Sequence, residues 1–124
     1  MVAKSDIALK VLNRKGGIPS AVTSAIVEEW VEDAHLKIEN QTGEGFETTS
    51  IPTKFLAVIT DMAYSSLLGY MLRPNISVGG DVSLAYATLF SEKRQLDEDI
   101  RNQLNDIIRG NSGGMVTTEP QVNW

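Results

Sequence analysis

The chain has 124 residues, no cysteine and one histidine. The absence of cysteine excludes disulfide bonds, thiolate metal sites and a cysteine nucleophile, and it fits a reducing cytoplasm. The net charge is −5 and no segment collects Lys and Arg, which argues against tight binding to nucleic-acid phosphates. The length predicts a single domain with a core of its own, and the apolar part of the first residues is too short for a signal peptide.

The first predicted helix follows Ser5 and has its apolar residues at helical spacing. Gly16 and Gly17 predict its end. Arg14 and Lys15 lie in the last turn, where cations complement the helix dipole. We therefore expect both side chains to be caps and solvent-exposed charges rather than ligand-binding groups. The apolar face consists of Ile7, Ala8, Val11 and Leu12.

The second predicted helix begins near Pro19 and Ser20 and ends at Gly43. A carboxylate metal site in it would need several acidic residues and a histidine on one inward face. His35 lies beside the main apolar stripe, so we expect a solvated helix residue with no metal or catalytic role. We expect Phe46, in the following loop, to fold back onto the bundle. The stripe is Val22, Ile26, Trp30, Ala34 and Ile38, widened by Val27 and Val31.

The stretch from Ser50 to Pro74 predicts the most apolar helix, around which the bundle should be organised. Ser50 is the expected N-cap, and Pro74 forbids continuation of the helix. A helix of this length would be roughly 30 Å long, which matches the thickness of a bilayer. Lys54 and Asp61 interrupt the apolar run. We therefore expect a core helix and no membrane span.

After Pro74 the spacing of apolar residues changes from helical to alternating, on both sides of a glycine turn at residues 79–81. This pattern predicts a β-hairpin over residues 76–86. The turn lacks the lysine and hydroxyl residue of a phosphate-binding loop. Because an isolated hairpin is marginal in water, it should lie on the bundle or pair with a neighbouring chain. Its candidate partner-binding residues are Ile76, Val78, Val82, Leu84 and Tyr86.

A long charged helix is predicted from Thr88 or Ser91 to Arg109, with Gly110 as its stop. Asp97 and Arg101 have the spacing of a favourable acid-to-base pair. The adjacent carboxylates at positions 97–99 point in different directions around a helix, so they form a solvated face rather than a catalytic pair. The narrow apolar stripe is Leu96, Ile100, Leu104, Ile107 and Ile108.

Residues 111–124 have no sustained period and predict an extended tail after a helical domain of residues 1–110. The apolar residues near the end are typical of a docking peptide rather than of a solvated terminus. The candidate partner-binding residues of the tail are Met115, Val116, Pro120, Val122 and Trp124.

The order of these elements resembles the head-tail connector, or adaptor, proteins of tailed bacteriophages. The resemblance covers most of the chain, and its closest parts are the AHLKIENQTG helix end and the ISVGGDVSLAY segment. The opening KSDIALKVLNRKGG also looks like the first helix of some connectors from short-tailed phages.

The resemblance implies an all-α subunit: an antiparallel bundle of about four helices, with the small hairpin and the extended tail. It implies a homo-oligomeric ring, commonly a dodecamer, beneath the portal protein. Such a ring closes the DNA-filled head, lets DNA pass through its channel and provides a platform for the tail or the next head-completion protein. We accordingly expect a virion protein assembled in the host cytoplasm, with no enzymatic activity, no cofactor and no membrane partner.

Three other classes of function remain compatible with the residue patterns. A helix-turn-helix regulator would need an outward recognition helix rich in basic or amide residues, but the last helix is also dense in acids. A helical enzyme would need a pocket with carboxylates of raised pKa. A helical protein-interaction module outside a virion agrees with every residue pattern described above.

Overall fold

A computed structural model of the chain describes residues 2–16, 18–72 and 82–116. These residues form four α-helices: α1 (Lys4–Arg14), α2 (Ser24–Thr42), α3 (Thr53–Met71) and α4 (Val82–Val116). The described ranges contain two isolated β-bridges and no strand. The predicted all-α bundle is therefore confirmed for this part of the chain, and the hairpin is not seen. None of the described helices is both long and apolar enough to cross a membrane.

Helix α3 runs antiparallel to α2, and α4 runs antiparallel to α3. Trp30 in α2 contacts Tyr70 near the end of α3, with ring centroids 6.1 Å apart. Asp61 in the middle of α3 meets Gln103 in the second half of α4. Helix α1 packs mainly on α2, and α4 contacts both α3 and α2.

The ends of α2 show how local groups set the helix bounds. Thr23 is the N-cap, and its hydroxyl accepts a hydrogen bond from the Ile26 N–H at 3.4 Å. The predicted start near Pro19 is therefore too early, because the Val22 N–H bonds to the Pro19 carbonyl in a separate turn. Gly43 ends the helix as predicted, with a left-handed φ of 76° that favours glycine.

Helix α3 lies at the centre of the core, as predicted. It begins at Thr53 after Pro52, so Ser50 is not its N-cap and lies instead in a turn with Glu47. Phe46 folds back as predicted and stacks on Phe55, with ring centroids 4.7 Å apart. The buried apolar residues of α3 are Phe55, Val58, Ile59, Ala63, Tyr64, Leu67, Leu68 and Met71.

The buried face of α2 is rotated from the predicted stripe. Val27, Val31, Ala34 and Ile38 are buried, whereas Trp30 is only partly buried. Val27 and Val31, which were expected only to widen the stripe, therefore lie at the centre of the buried face. The buried face is rotated because α1 packs on one side of α2 and α3 packs on another. The local sequence of α2 does not show where these two helices pack.

Helix α4 begins before and ends after its predicted bounds. Val82, Leu84 and Tyr86 are helical residues, so the second predicted hairpin strand is wrong. Positions 82, 86 and 89 are spaced i, i+4 and i+7, so the apolar residues there fit a helical stripe as well as an alternating one. Gly110 does not stop the helix, and the expected extended tail is helical over residues 111–116.

Candidate interaction surface

The predicted partner-binding residues are separated along α4. Tyr86 is half-buried and packs against the core near the start of the helix. Met115 and Val116 belong to its last turn. Tyr86 and Met115 are therefore roughly 44 Å apart at 1.5 Å per helical residue. The candidates Ile76, Val78, Pro120, Val122 and Trp124 lie outside the described residues.

A set of polar contacts joins the end of α1 to α3 and α4. We call Arg14, Lys15, Asp61, Tyr64 and Glu92 the polar junction. The Arg14 guanidinium donates a hydrogen bond to Asp61 at 2.8 Å and lies over the Tyr64 ring, 4.2 Å from its centroid. The Tyr64 hydroxyl donates to Glu92 at 2.6 Å, and the Lys15 ammonium donates to the same carboxylate at 3.0 Å. Arg14 and Lys15 thus contact residues of α3 and α4. Arg14 is nevertheless 40% exposed, as expected of a solvent-exposed charge, whereas the Lys15 side chain is only 22% exposed.

The electrostatics of the junction favour the neutral form of the Tyr64 phenol and the ionised form of the Glu92 carboxyl group. Burial raises the pKa of the Tyr64 phenol, and the Glu92 carboxylate raises it further. Burial alone would raise the pKa of Glu92, but hydrogen bonds from Tyr64 and Lys15 outweigh it, so the pKa lies below the ordinary 4.5. The phenol is therefore neutral and the carboxylate ionised at neutral pH. These contacts join the end of α1 to α3 and α4.

A second polar contact joins the middle of α4 to α3. The Asp97 carboxylate accepts hydrogen bonds from the Ser65 hydroxyl and from the Lys93 ammonium, the latter at 2.8 Å. Burial would raise the pKa of Asp97, but the bonds from Lys93 and Ser65 lower it below its ordinary value. The predicted Asp97–Arg101 pair is wrong because Asp97 is held by the residue one turn earlier. Arg101 lies 3.9 Å from Glu98.

His35 is enclosed rather than solvated, so that prediction is also wrong. Its side chain is 17% exposed, and its Nε2 is buried with no hydrogen-bond partner among the described residues. The ring meets Phe46 edge-on with centroids 4.6 Å apart, and Nδ1 lies 3.9 Å from the Glu32 carboxylate. Within the ranges that the structure covers, no group of three or more His, Asp or Glu side chains is arranged to hold a metal ion.

The surface that the polar contacts leave open lies on α4. Phe90, Arg94 and Arg101 are exposed at positions i, i+4 and i+11, so they share one helical face, which we call the α4 strip. Phe90 is 65% exposed, the highest value for a large apolar side chain in the described part of the chain. These residues line an open groove of about 730 Å³, together with Gly69 and Leu72 of the α3 end.

The α4 strip has the composition of a protein-binding surface. Aromatic residues and arginine are enriched at protein interfaces and account for much of their binding energy. The strip was not predicted, because the last helix was expected to begin only at Thr88 or Ser91 and Phe90 was not assigned to its face. A helical reading of residues 86–101 would have placed Phe90 on the face of Arg94 and Arg101.

Comparison with known proteins found no relative of this chain. Neither the protein-family models, nor the curated proteins, nor the solved structures contain a match to the chain.

Proposed function

We propose that the protein is a structural head-tail connector, or adaptor, of a tailed bacteriophage. In this role it forms a ring under the portal vertex, closes the DNA-filled head and provides the platform for the tail or the next head-completion protein. The proposal is supported by the sequence resemblance described above and by a helical subunit whose exposed features suit contact with other proteins.

The observation that carries the proposal is the contrast between the polar junction and the α4 strip. Glu92 of the polar junction, and Asp97 further along α4, are occupied by partners within the fold. The α4 strip exposes an aromatic ring and two guanidinium groups beside a groove that the carboxylates of Asp97 and Glu98 also line. Burial of Phe90 against another chain would remove apolar area from water, which favours association.

The net charge of −5 suits a channel through which DNA passes. An acidic lining repels the phosphate backbone and so avoids holding the DNA in place. We therefore propose that DNA passes through the channel without sequence-specific binding to the protein.

The end of the chain is the proposed docking segment for the portal or an adjacent subunit. Met115 and Val116 belong to the end of α4, and Pro120, Val122 and Trp124 follow in the sequence. Burying one tryptophan removes about 150 to 250 Å² from water. Proline lowers the ordering cost by restricting the free peptide.

The test is the mass of the purified protein, alone and mixed with a candidate portal protein. We expect a ring of defined copy number that binds the portal. Phe90→Ala should weaken ring or portal binding, whereas Leu9→Ala, which removes another exposed apolar side chain, is the matched control. A closed two-fold dimer, or a protein that does not bind the portal, would contradict the connector role. Binding to unrelated cellular proteins instead would favour the interaction module outside a virion.

A further inference from the structure

The loop between α2 and α3 covers the single histidine of the chain. We call residues 44–50 of this loop the lid. Phe46 of the lid lies between two other rings. It meets His35 of α2 edge-on, with centroids 4.6 Å apart, and stacks on Phe55 of α3, with centroids 4.7 Å apart. Phe55 is completely buried, and the His35 side chain is 17% exposed. One side chain of the lid therefore covers an imidazole and an aromatic ring of the core.

The lid itself contributes little to the core. None of residues 44–50 is buried, and Phe46 is only half-buried. The two ends of the lid are held more firmly. Gly43 is the C-cap of α2, and Ile51 is 5% exposed and donates its N–H to the Val2 carbonyl at 2.8 Å. Segments with few buried apolar contacts open locally at a lower free energy than the core does. The lid thus has the features of a segment that moves between two fixed ends.

The polar contacts that hold the lid closed are ones that water can replace. The Thr48 carbonyl accepts a hydrogen bond from the Lys4 N–H at 2.8 Å, and the Thr48 side chain bonds to the Glu32 carboxylate. The Glu44 carboxylate accepts a bond from the Lys54 ammonium at 2.6 Å, but these two side chains are 38% and 45% exposed. Exposed ion pairs contribute little to stability. The loss of these contacts therefore opposes opening only weakly.

A buried nitrogen beneath the lid favours opening. The Nε2 atom of His35 is buried with no hydrogen-bond partner among the described residues. On the other side of the ring, Nδ1 lies 3.9 Å from the Glu32 carboxylate, which is beyond hydrogen-bond range. A buried polar atom without a partner destabilises the closed arrangement relative to one in which water reaches that atom. Movement of Phe46 away from the imidazole would let water reach Nε2 and would offset part of the lost contact between the rings.

We propose that the lid is a conformational device that opens and closes over His35 and Phe55 while the four helices stay packed. In the closed state, Phe46 covers both rings. In the open state, Nε2 bonds to water and the Phe55 ring loses its cover. The accessibility of the single histidine is thus set by the position of one short loop. The inference does not depend on the connector role, because the lid belongs to the isolated subunit.

Amide hydrogen exchange of the full-length protein, measured by NMR, tests the proposal. The Lys4 N–H is bonded to Thr48 of the lid, whereas the Ile51 N–H is bonded to Val2 outside it. Lid opening frees the first amide and leaves the second bonded. After correction for intrinsic rates, Lys4 should therefore exchange about tenfold or more faster than Ile51, and low concentrations of urea should hardly change its rate. The amide of Ile59, in the core of α3, reports global unfolding.

Two outcomes of this measurement overturn the proposal. Equal exchange at Lys4 and Ile51 would show that the first residues of the chain fray and that the lid stays closed. The same dependence on urea at Lys4 and Ile59 would show that the Lys4 amide is freed only when the whole bundle unfolds.

Two substitutions should shift the lid in opposite directions. Phe46→Ala removes the covering ring and should speed exchange at Lys4 by about tenfold or more. His35→Phe keeps an aromatic ring without the buried nitrogen and should slow this exchange by about tenfold. Leu9→Ala removes an exposed apolar side chain of α1, so it is the matched control and should leave the Lys4 rate unchanged. Exchange at Ile59 verifies in each variant that the bundle stays folded. Unchanged or faster exchange at Lys4 in His35→Phe overturns the proposal.

Discussion

Replacing Tyr64 with Phe removes one hydroxyl and tests whether the polar junction holds α4 on α3. Tyr64 is 2% exposed, and its hydroxyl donates a 2.6 Å hydrogen bond to Glu92. A hydrogen bond to a charged group contributes about 1.5 to 3 kcal/mol. The Glu92 side chain is 36% exposed, so water replaces part of the lost contact. We expect the free energy of unfolding to fall by about 1 to 2 kcal/mol and the melting temperature by about 3 to 10 °C.

The same substitution should change the response to acid. Tyr64 helps to keep the pKa of Glu92 below its ordinary value of 4.5. A carboxyl group with a lowered folded pKa stabilises the fold above its unfolded pKa, and this contribution is lost as the pH falls through the folded pKa. The stability difference between Tyr64→Phe and the parent should therefore be full at pH 7 and shrink below about pH 4.5.

A double-mutant cycle provides the assay. Unfolding is measured by urea denaturation at pH 7 and pH 4 for the parent, Tyr64→Phe, Glu92→Ala and the double variant. In the Glu92→Ala background the Tyr64 substitution should cost less, because its acceptor is already gone. An equal cost in both backgrounds, or one that does not depend on pH, would refute the assigned role of this hydrogen bond.

Three further measurements test the core, the acid response and the tail. Ile59→Ala should lower the free energy of unfolding by about 2 to 5 kcal/mol through lost burial and a cavity, whereas Leu9→Ala should change it by less than about 0.5 kcal/mol. The parent should lose thermal stability as the pH falls below about 4.5, because Glu32 and Asp97 also have lowered pKa values, and Asp97→Asn should flatten that loss. Deleting residues 117–124 should leave helical content and melting temperature unchanged and abolish portal binding; equal binding would show that these residues are only a terminus.

The sequence predicted the helices whose apolar residues continue one period over several turns. Helix α3 and the end of α2 at Gly43 follow from such local signals. The prediction of the second hairpin strand was wrong because Val82, Leu84 and Tyr86 fit both a period of two and the start of a helical stripe. The helical alternative continues through Leu89 to Leu96, and that longer run decides the structure.

The polar junction and the enclosure of His35 depend on contacts between distant residues. Arg14 and Asp61 are 47 residues apart, so no local pattern pairs them. His35 is enclosed because the loop with Phe46 covers it, and a helical wheel of α2 contains no information about that loop. The α4 strip differs, since its spacing was present in the sequence once the helix was extended to include Phe90.

The glycines within α4 have a consequence for how the helix opens. Gly110, Gly113 and Gly114 lie in its last two turns, and each costs up to about 1 kcal/mol relative to alanine in a helix interior. A methyl group added at Gly110 would meet no atom within 4 Å, so the site does not exclude alanine. Backbone amides of these turns should therefore exchange with solvent hydrogen faster than those near Leu96, through local fraying rather than global unfolding. Gly110→Ala would slow that exchange, and a partner can accordingly remodel the end of α4 at a low energetic cost.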